Sequence, residues 1–226
     1  MRTLVLLSGG LDSGVLAAYE AQHARVVPVY VGVGLAWEAA EIAMVECLLR
    51  APVFSGRVEP LQCLSFTMRD VYAPSHWAIR GVPPAYDTPD EDVFLLGRNL
   101  VLLTKAGVVA AKAKANRIAL GPLSGNPFPD ARPEFFRSMA QTLSLGLDQP
   151  IEVVTPFLTW DKDAVIRCGI DLGVPLEYTL SCMNPVVIDG ELPRHCGLCS
   201  KCRERRDAFV AARVPDPSTY ANQSPR

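Results

Sequence analysis

No G-x-x-x-x-G-K-S/T string occurs in the 226 residues, so a phosphate loop carrying its own lysine is excluded. Charge of one sign is missing too: 22 Lys and Arg stand against 24 Asp and Glu, a formal net charge of −2. That balance makes no general electrostatic case for nucleic acid, and no basic appendage is present. Long apolar runs are also absent. The longest, about residues 26–37, is too short to cross a bilayer. The apolar run after Met1-Arg2 ends within a few residues in a glycine loop, with no small-residue cleavage site, so it reads as a strand. Seven cysteines, an odd number, do not make a disulfide framework. The expectation is a soluble, cytoplasmic chain of one α/β domain, with a small appendage and ample apolar residues for a core.

What is present begins at Ser8-Gly9-Gly10-Leu11-Asp12-Ser13, directly after the apolar run Leu4-Val5-Leu6-Leu7. Four apolar residues bounded by glycine fit a buried parallel strand, and residues 13–22 read as a helix. A strand turning through glycines into a helix N-terminus is an anion cradle, because backbone amides converge there and the helix dipole adds to them. Ser8 and Ser13 can donate to phosphate oxygens, and Asp12 can position a magnesium ion. The plain alternative is a glycine turn between two elements. The six residues match the pyrophosphate loop of the ATP pyrophosphatases, which this stretch therefore resembles.

The rest of the chain alternates. Residues 25–31 read as a strand, 36–50 as a helix and 52–58 as a short strand, which together argue for a doubly wound, mostly parallel sheet. Ligands of such sheets sit at the carboxyl ends of the strands. From 62 to 96 the pattern breaks down, with four prolines and the acids Asp87, Asp90, Glu91 and Asp92. This stretch is either an active-site flap or partner-contacting loop, or a solvated excursion. A helix follows from Gly97 to about Ala115, with Arg98 and Asn99 in its first turn. An arginine there opposes the dipole and implies an anionic partner, unless it is simply a surface residue. Residues 117–120 and 151–155 read as strands, and 134–145 and 161–172 as helices. Between them lies a rigid Pro- and Gly-bearing loop with Asp130 and Arg132 at its tip.

Cys182, Cys196, Cys199 and Cys202 are spaced C-x13-C-x2-C-x2-C, which suits tetrahedral, structural zinc with no position left for water. An iron–sulfur cluster or a redox dithiol are the alternatives. His195 is assigned a solvated or supporting role beside the cysteines. Arg194, Lys201, Arg203, Arg205 and Arg206 are expected to offset the thiolate charge, as against forming a nucleic-acid patch. Cys47, Cys63 and Cys168 read as small buried side chains, and the tail beyond Phe209 as mobile. The division is then an ATP pyrophosphatase α/β domain over 1–178, a zinc-binding segment over 179–210 and a flexible tail over 211–226.

With these strings together, the chain resembles the 7-cyano-7-deazaguanine synthase family of queuosine biosynthesis. Its carriers are the glycine loop, Leu96-Gly97-Arg98-Asn99, Pro129-Asp130-Ala131-Arg132-Pro133-Glu134-Phe135, Leu172-Gly173-Val174-Pro175, Thr179-Leu180-Ser181-Cys182 and Cys196-Gly197-Leu198-Cys199-Ser200-Lys201-Cys202. The resemblance implies an adenine nucleotide alpha hydrolase-like fold and a homodimer. It also implies an AMP-forming ligase that joins ammonia to 7-carboxy-7-deazaguanine through an adenylated carboxylate and an amide, ending at the nitrile. By resemblance, Ser8, Gly9, Gly10, Leu11, Asp12 and Ser13 hold ATP and magnesium, with Asp12 and Ser13 catalytic. Arg98, Asn99, Asp130, Arg132 and Glu134 line the substrate side, and Lys162 reaches ATP. The chain departs from the family pattern at Tyr30-Val31-Gly32-Val33-Gly34-Leu35 and at Leu123-Ser124-Gly125-Asn126-Pro127-Phe128. Alternative readings are a divergent paralogue adenylating another carboxylate, a tRNA-thiolating enzyme, or a zinc-stapled scaffold without catalysis.

Overall fold

The structure, a computed structural model, describes residues 1–223. Its first strand, β1 (Arg2–Leu6), runs through the glycine turn into helix α1 (Leu11–Ala21), and β2 (Arg25–Gly32) leads to α2 (Glu38–Leu48). Then come β3 (Gln62–Ser65), the short α3 (Trp77–Arg80), α4 (Arg98–Ala113), β4 (Arg117–Ala119) and α5 (Pro133–Leu147). The order closes with β5 (Glu152–Val154), α6 (Lys162–Asp171) and α7 (Ser200–Ala212). All five strands are parallel, in the order β3-β2-β1-β4-β5.

The central strands are apolar on both faces because helices cover both. Leu4 and Leu6 point with Val27 and Val29 toward α4 and α5, meeting Leu103, Ala106, Phe136 and Met139. Val5 and Leu7 face the opposite layer, where Val15 and Leu16 of α1 pack with Val165 and Ile166 of α6 and Phe209 of α7. This two-faced wrapping is the α/β architecture that the alternating sequence implied. Among the described residues no helix is long and apolar enough to cross a membrane.

Three local expectations are corrected. Residues 52–58 do not form a strand: Pro52–Phe54 is a 3₁₀ turn, and only Val58 bridges to Val26. The third strand lies instead at Gln62–Ser65, inside the stretch that looked irregular. It sits at the sheet edge with three of its four residues exposed, so no hydrophobic pattern marks it. For the same reason Cys63 is exposed, not buried. The tail after Phe209 is not free over its described part. Helix α7 continues to Ala212, His195 bridges to Tyr220, and Arg206 stacks over the Tyr220 ring at 4.0 Å. Asn222 approaches so closely that a Cβ added to Gly197, whose φ is +83°, would lie 2.2 Å from the Asn222 carbonyl oxygen. Residues 224–226 of the expected flexible tail lie outside the described residues.

Candidate active site

The glycine loop sits at the carboxyl end of β1, where the sheet order reverses between β1 and β4. Gly10 caps α1 without any side-chain hydrogen bond, so the first-turn amides remain available to a ligand. Ser13 Oγ donates to the Gly10 carbonyl at 3.0 Å and accepts from the Ser8 amide at 3.2 Å, which fixes the curl of the loop. Helix α2 packs directly beneath. Gly9 has φ +81°, and a Cβ there would come within 3.0 Å of both the Glu41 carbonyl oxygen and Val45 Cγ2. Only glycine meets both demands.

Two connected arms open from this loop, cavities of about 260 and about 370 Å³. The first runs between the ends of β1, β2 and β4, with Leu6, Tyr30, Val31 and Leu120 as walls. Phe94 and Phe128 stack beside it with ring centroids 5.0 Å apart, giving it a flat aromatic flank. The second arm is more polar. Trp37 and Trp77, stacked at 5.7 Å, line it together with Glu41, Lys162, Lys201 and Glu204.

Asp12 and Arg98 stand where the arms meet. Lys162, at the start of α6, lies 3.3 Å from Asp12 Oδ2 and is also paired with Glu204. Although burial works against it, the carboxylates of Asp12 and Glu204 keep the Lys162 ammonium charged. Burial pushes the Asp12 carboxyl up, with Lys162 acting in the opposite sense. Asp12 Oδ1 is buried with no hydrogen-bond partner, an acceptor placed to ligate a cation such as magnesium. The Arg98 Nε is similarly unpartnered. Asn99 binds Asp130 twice, from its amide to Oδ2 at 3.1 Å and from Nδ2 to the Asp130 carbonyl at 2.9 Å, so these two line the first arm as a unit.

Arg132 and Glu134 do not join them. Both are exposed outside the cleft, Glu134 lying 3.5 Å from Arg137 on its own helix. The Pro133 start of α5 turns these side chains outward once Asp130 is anchored to Asn99. Of the remaining predicted residues, Ser8, Gly10, Leu11, Asp12 and Ser13 with Arg98, Asn99, Asp130 and Lys162 line one space, while Gly9 lies beneath it against α2. Residues that sequence reasoning missed are Glu204, Tyr30, Glu38 and Glu41. Glu38 Oε1 accepts from the Val33 and Gly34 amides at 2.6 and 2.9 Å, holding the turn after β2. Tyr30 donates to Glu41 at 2.6 Å.

The four cysteines are buried, and their sulfurs all lie within 4.8 Å of one another. Tetrahedral zinc with bonds of about 2.3 Å needs sulfurs about 3.8 Å apart, and the shorter separations here are 3.5, 3.9 and 4.0 Å. Backbone amides of Cys196 and Asn184 donate to Cys182 Sγ, as suits a thiolate. The cluster is compatible with structural zinc. His195 is buried and not a fifth ligand: its Nε2 accepts from the Ser181 amide at 3.1 Å, and burial drives its pKa down to about 3. Of the basic residues expected to offset the thiolates, Arg205 is instead fully buried. It binds Thr179 Oγ1, the Leu176 carbonyl and Asp216. Lys201 and Arg203 reach back to Asp90 and to the Thr88 carbonyl.

The model of a family described as queuosine biosynthesis protein QueC matches residues 2–213. The chain belongs to that family. Curated relatives named 7-cyano-7-deazaguanine synthase align along nearly their whole length. The one from Methanothrix thermoacetophila is 32% identical over 97% of this chain and 98% of its own. That from Magnetococcus marinus is 32% identical over 97% of both, and that from Methanopyrus kandleri 29% over 96% and 98%. A solved structure described as a predicted subunit of a tRNA methyltransferase from Methanocaldococcus jannaschii is more distant. It is 12% identical at a TM-score of 0.43, covering 98% of this chain and 93% of its own. The QueC match spans the glycine loop, the cleft residues and all four cysteines.

Proposed function

We propose that this QueC-family chain is an AMP-forming ligase that converts 7-carboxy-7-deazaguanine and ammonia to 7-cyano-7-deazaguanine. The observation that carries the reading is the loop amides, Asp12 and Lys162 converging at the mouth of a two-armed cleft. It is supported by curated relatives of that name along the whole chain.

A carboxylate is a poor electrophile because oxide or hydroxide must leave. Joining AMP to it supplies a stable leaving group, and the protein then needs only to orient the reactants and stabilise charge. The loop amides and Ser8 and Ser13 hold the departing pyrophosphate, with Lys162 beside it. Asp12 would hold magnesium, which neutralises phosphate charge while the α-phosphorus is attacked. The unpartnered Arg98 guanidinium takes the substrate carboxylate. Asn99, Asp130 and the Phe94–Phe128 flank accept the flat heterocycle. Ammonia displaces AMP to give the amide. A second ATP then activates the amide oxygen, and loss of AMP leaves the nitrile.

Mass spectrometry after incubation with ATP, magnesium, ammonium and 7-carboxy-7-deazaguanine tests this. The nitrile and AMP are the expected products. Turnover of the acid to the amide alone, or of a different carboxylate in its place, would replace the substrate assignment.

A further inference from the structure

The cleft is lined by six acids, and five of them are spoken for. Lys162 and Lys201 engage Asp12, Glu204 and Asp90, Asn99 engages Asp130, and the exposed Asp161 accepts from Ser124. Glu41 differs. It is buried at 6% exposure, lines the second arm beside Ser8, Gly10 and Asp12, and among the described residues pairs with no cation. Its one hydrogen-bond partner at short range is a neutral donor, the Tyr30 hydroxyl at 2.6 Å. A buried carboxyl without a cation is costly to keep, and the roles given above to the loop and to Arg98 do not use it.

We propose that the Glu41 carboxylate is the proton acceptor of the nitrogen-transfer half of the reaction, a role that rests on the ligase reading above. As ammonia forms its bond to the acyl carbon, the bond from that carbon to the AMP oxygen breaks. AMP leaves with the electron pair, and one N–H proton passes to Glu41. The resulting amide nitrogen carries two hydrogens and the nitrile nitrogen none. After the second adenylation, both protons pass in turn to the same carboxylate as the second AMP departs, and Glu41 discharges each to solvent.

The surroundings tune it for this. Burial raises the Glu41 pKa to about 7, reinforced by Glu38 on its own helix and opposed by the charge of Arg98 on α4 and by hydrogen bonding from Tyr30 on β2 and from Trp37 just before α2. A base that titrates near the working pH is the most effective one.

The test compares the whole protein with Glu41→Gln, which keeps an oxygen to accept from Tyr30. Three arms are read: carboxylate-dependent exchange of labelled pyrophosphate into ATP without ammonium, amide and nitrile formed with ammonium, and hydroxamate formed with hydroxylamine. Once bonded to the acyl carbon, the hydroxylamine nitrogen is made more acidic by its hydroxyl group, so it sheds its proton to water without a positioned base. The expected result is exchange and hydroxamate formation within about twofold of wild type, with amide formation reduced about 100-fold or more. At constant free ammonia, the wild-type amide rate should rise with pH through about 7, and the variant should lose that limb. Tyr30→Phe supplies a second reading. Removing a donor that lowers the Glu41 pKa should move the limb to higher pH. Equal loss in all three arms of Glu41→Gln, an unaltered amide rate, or an unmoved limb in Tyr30→Phe would overturn the role. Absence of exchange in the wild type would instead strike the ligase reading beneath it.

Discussion

At the scale of single residues, each cleft carboxyl is defined by what holds it. Asp12 keeps one oxygen toward Lys162 and leaves the other unpartnered, the state expected of a cation ligand. Asp12→Ala should therefore lower AMP and pyrophosphate release by at least about 100-fold, while circular dichroism and zinc content stay unchanged. Retained turnover would remove Asp12 from the phosphate site. Glu41 also makes a prediction about stability. Its unfolded carboxyl titrates near 4.5 and the folded one near 7, so the folded state binds the proton more tightly. The stabilisation this gives is complete below pH 4.5 and is lost as the pH rises through 7. The gap corresponds to at most about 3 kcal/mol. Glu41→Gln should thus gain on the wild type in urea midpoints taken from pH 4.5 to pH 8, and a constant difference across that range would count against the shift. This carboxyl was invisible in the sequence, where a glutamate on an amphipathic helix reads as its solvated face. Only the packing of α2 under Gly9 turns it inward.

At the scale of elements, α7 is the connector. Two of the clustered cysteines, Cys199 and Cys202, stand at its start. Glu204, one half-turn on, holds Lys162 toward the glycine loop, and the Leu180 amide donates to the Gly9 carbonyl at 2.7 Å. The cysteine segment therefore braces the glycine loop from outside it. Cys199→Ser should lower zinc stoichiometry and, for a loss of about 2 kcal/mol, reduce Tm by about 4–8 °C in a chain of this size. Full zinc content in that variant would refute the four-thiolate site. Glu204→Gln should leave zinc in place but raise KM for ATP several-fold, because Lys162 loses an anionic anchor. A changed zinc content with unchanged KM would show that Glu204 serves the cluster instead. The cysteines and the glycine loop were legible because their chemistry is written in short, local spacing. The edge strand β3 was not, since an exposed four-residue strand lacks the alternation that marks buried ones. Arg132 and Glu134 stand apart from the cleft because neighbours in sequence diverge once Asp130 is tied to Asn99 and Pro133 starts a helix.

At the scale of the whole molecule, the strand order decides where chemistry can occur. The chain winds outward from β1 through β2 to β3, then returns to build β4 and β5 on the other side. The crevice left at that reversal holds the glycine loop. The excursion from Gln62 to Leu96 closes over it, latched to α7 through Lys201–Asp90 at 3.1 Å and Arg203 to the Thr88 carbonyl at 3.2 Å. The alternating pattern of the sequence was enough to foresee the layered sheet, whereas this latch depends on side chains far apart in the chain. The central claim is that the loop takes pyrophosphate from ATP while AMP passes to an acid. Its most direct measurement is exchange of labelled pyrophosphate into ATP, with and without 7-carboxy-7-deazaguanine and in the absence of ammonium. The account predicts label in ATP only when the acid is present. ADP and inorganic phosphate as the products, with no label exchanged, would contradict it.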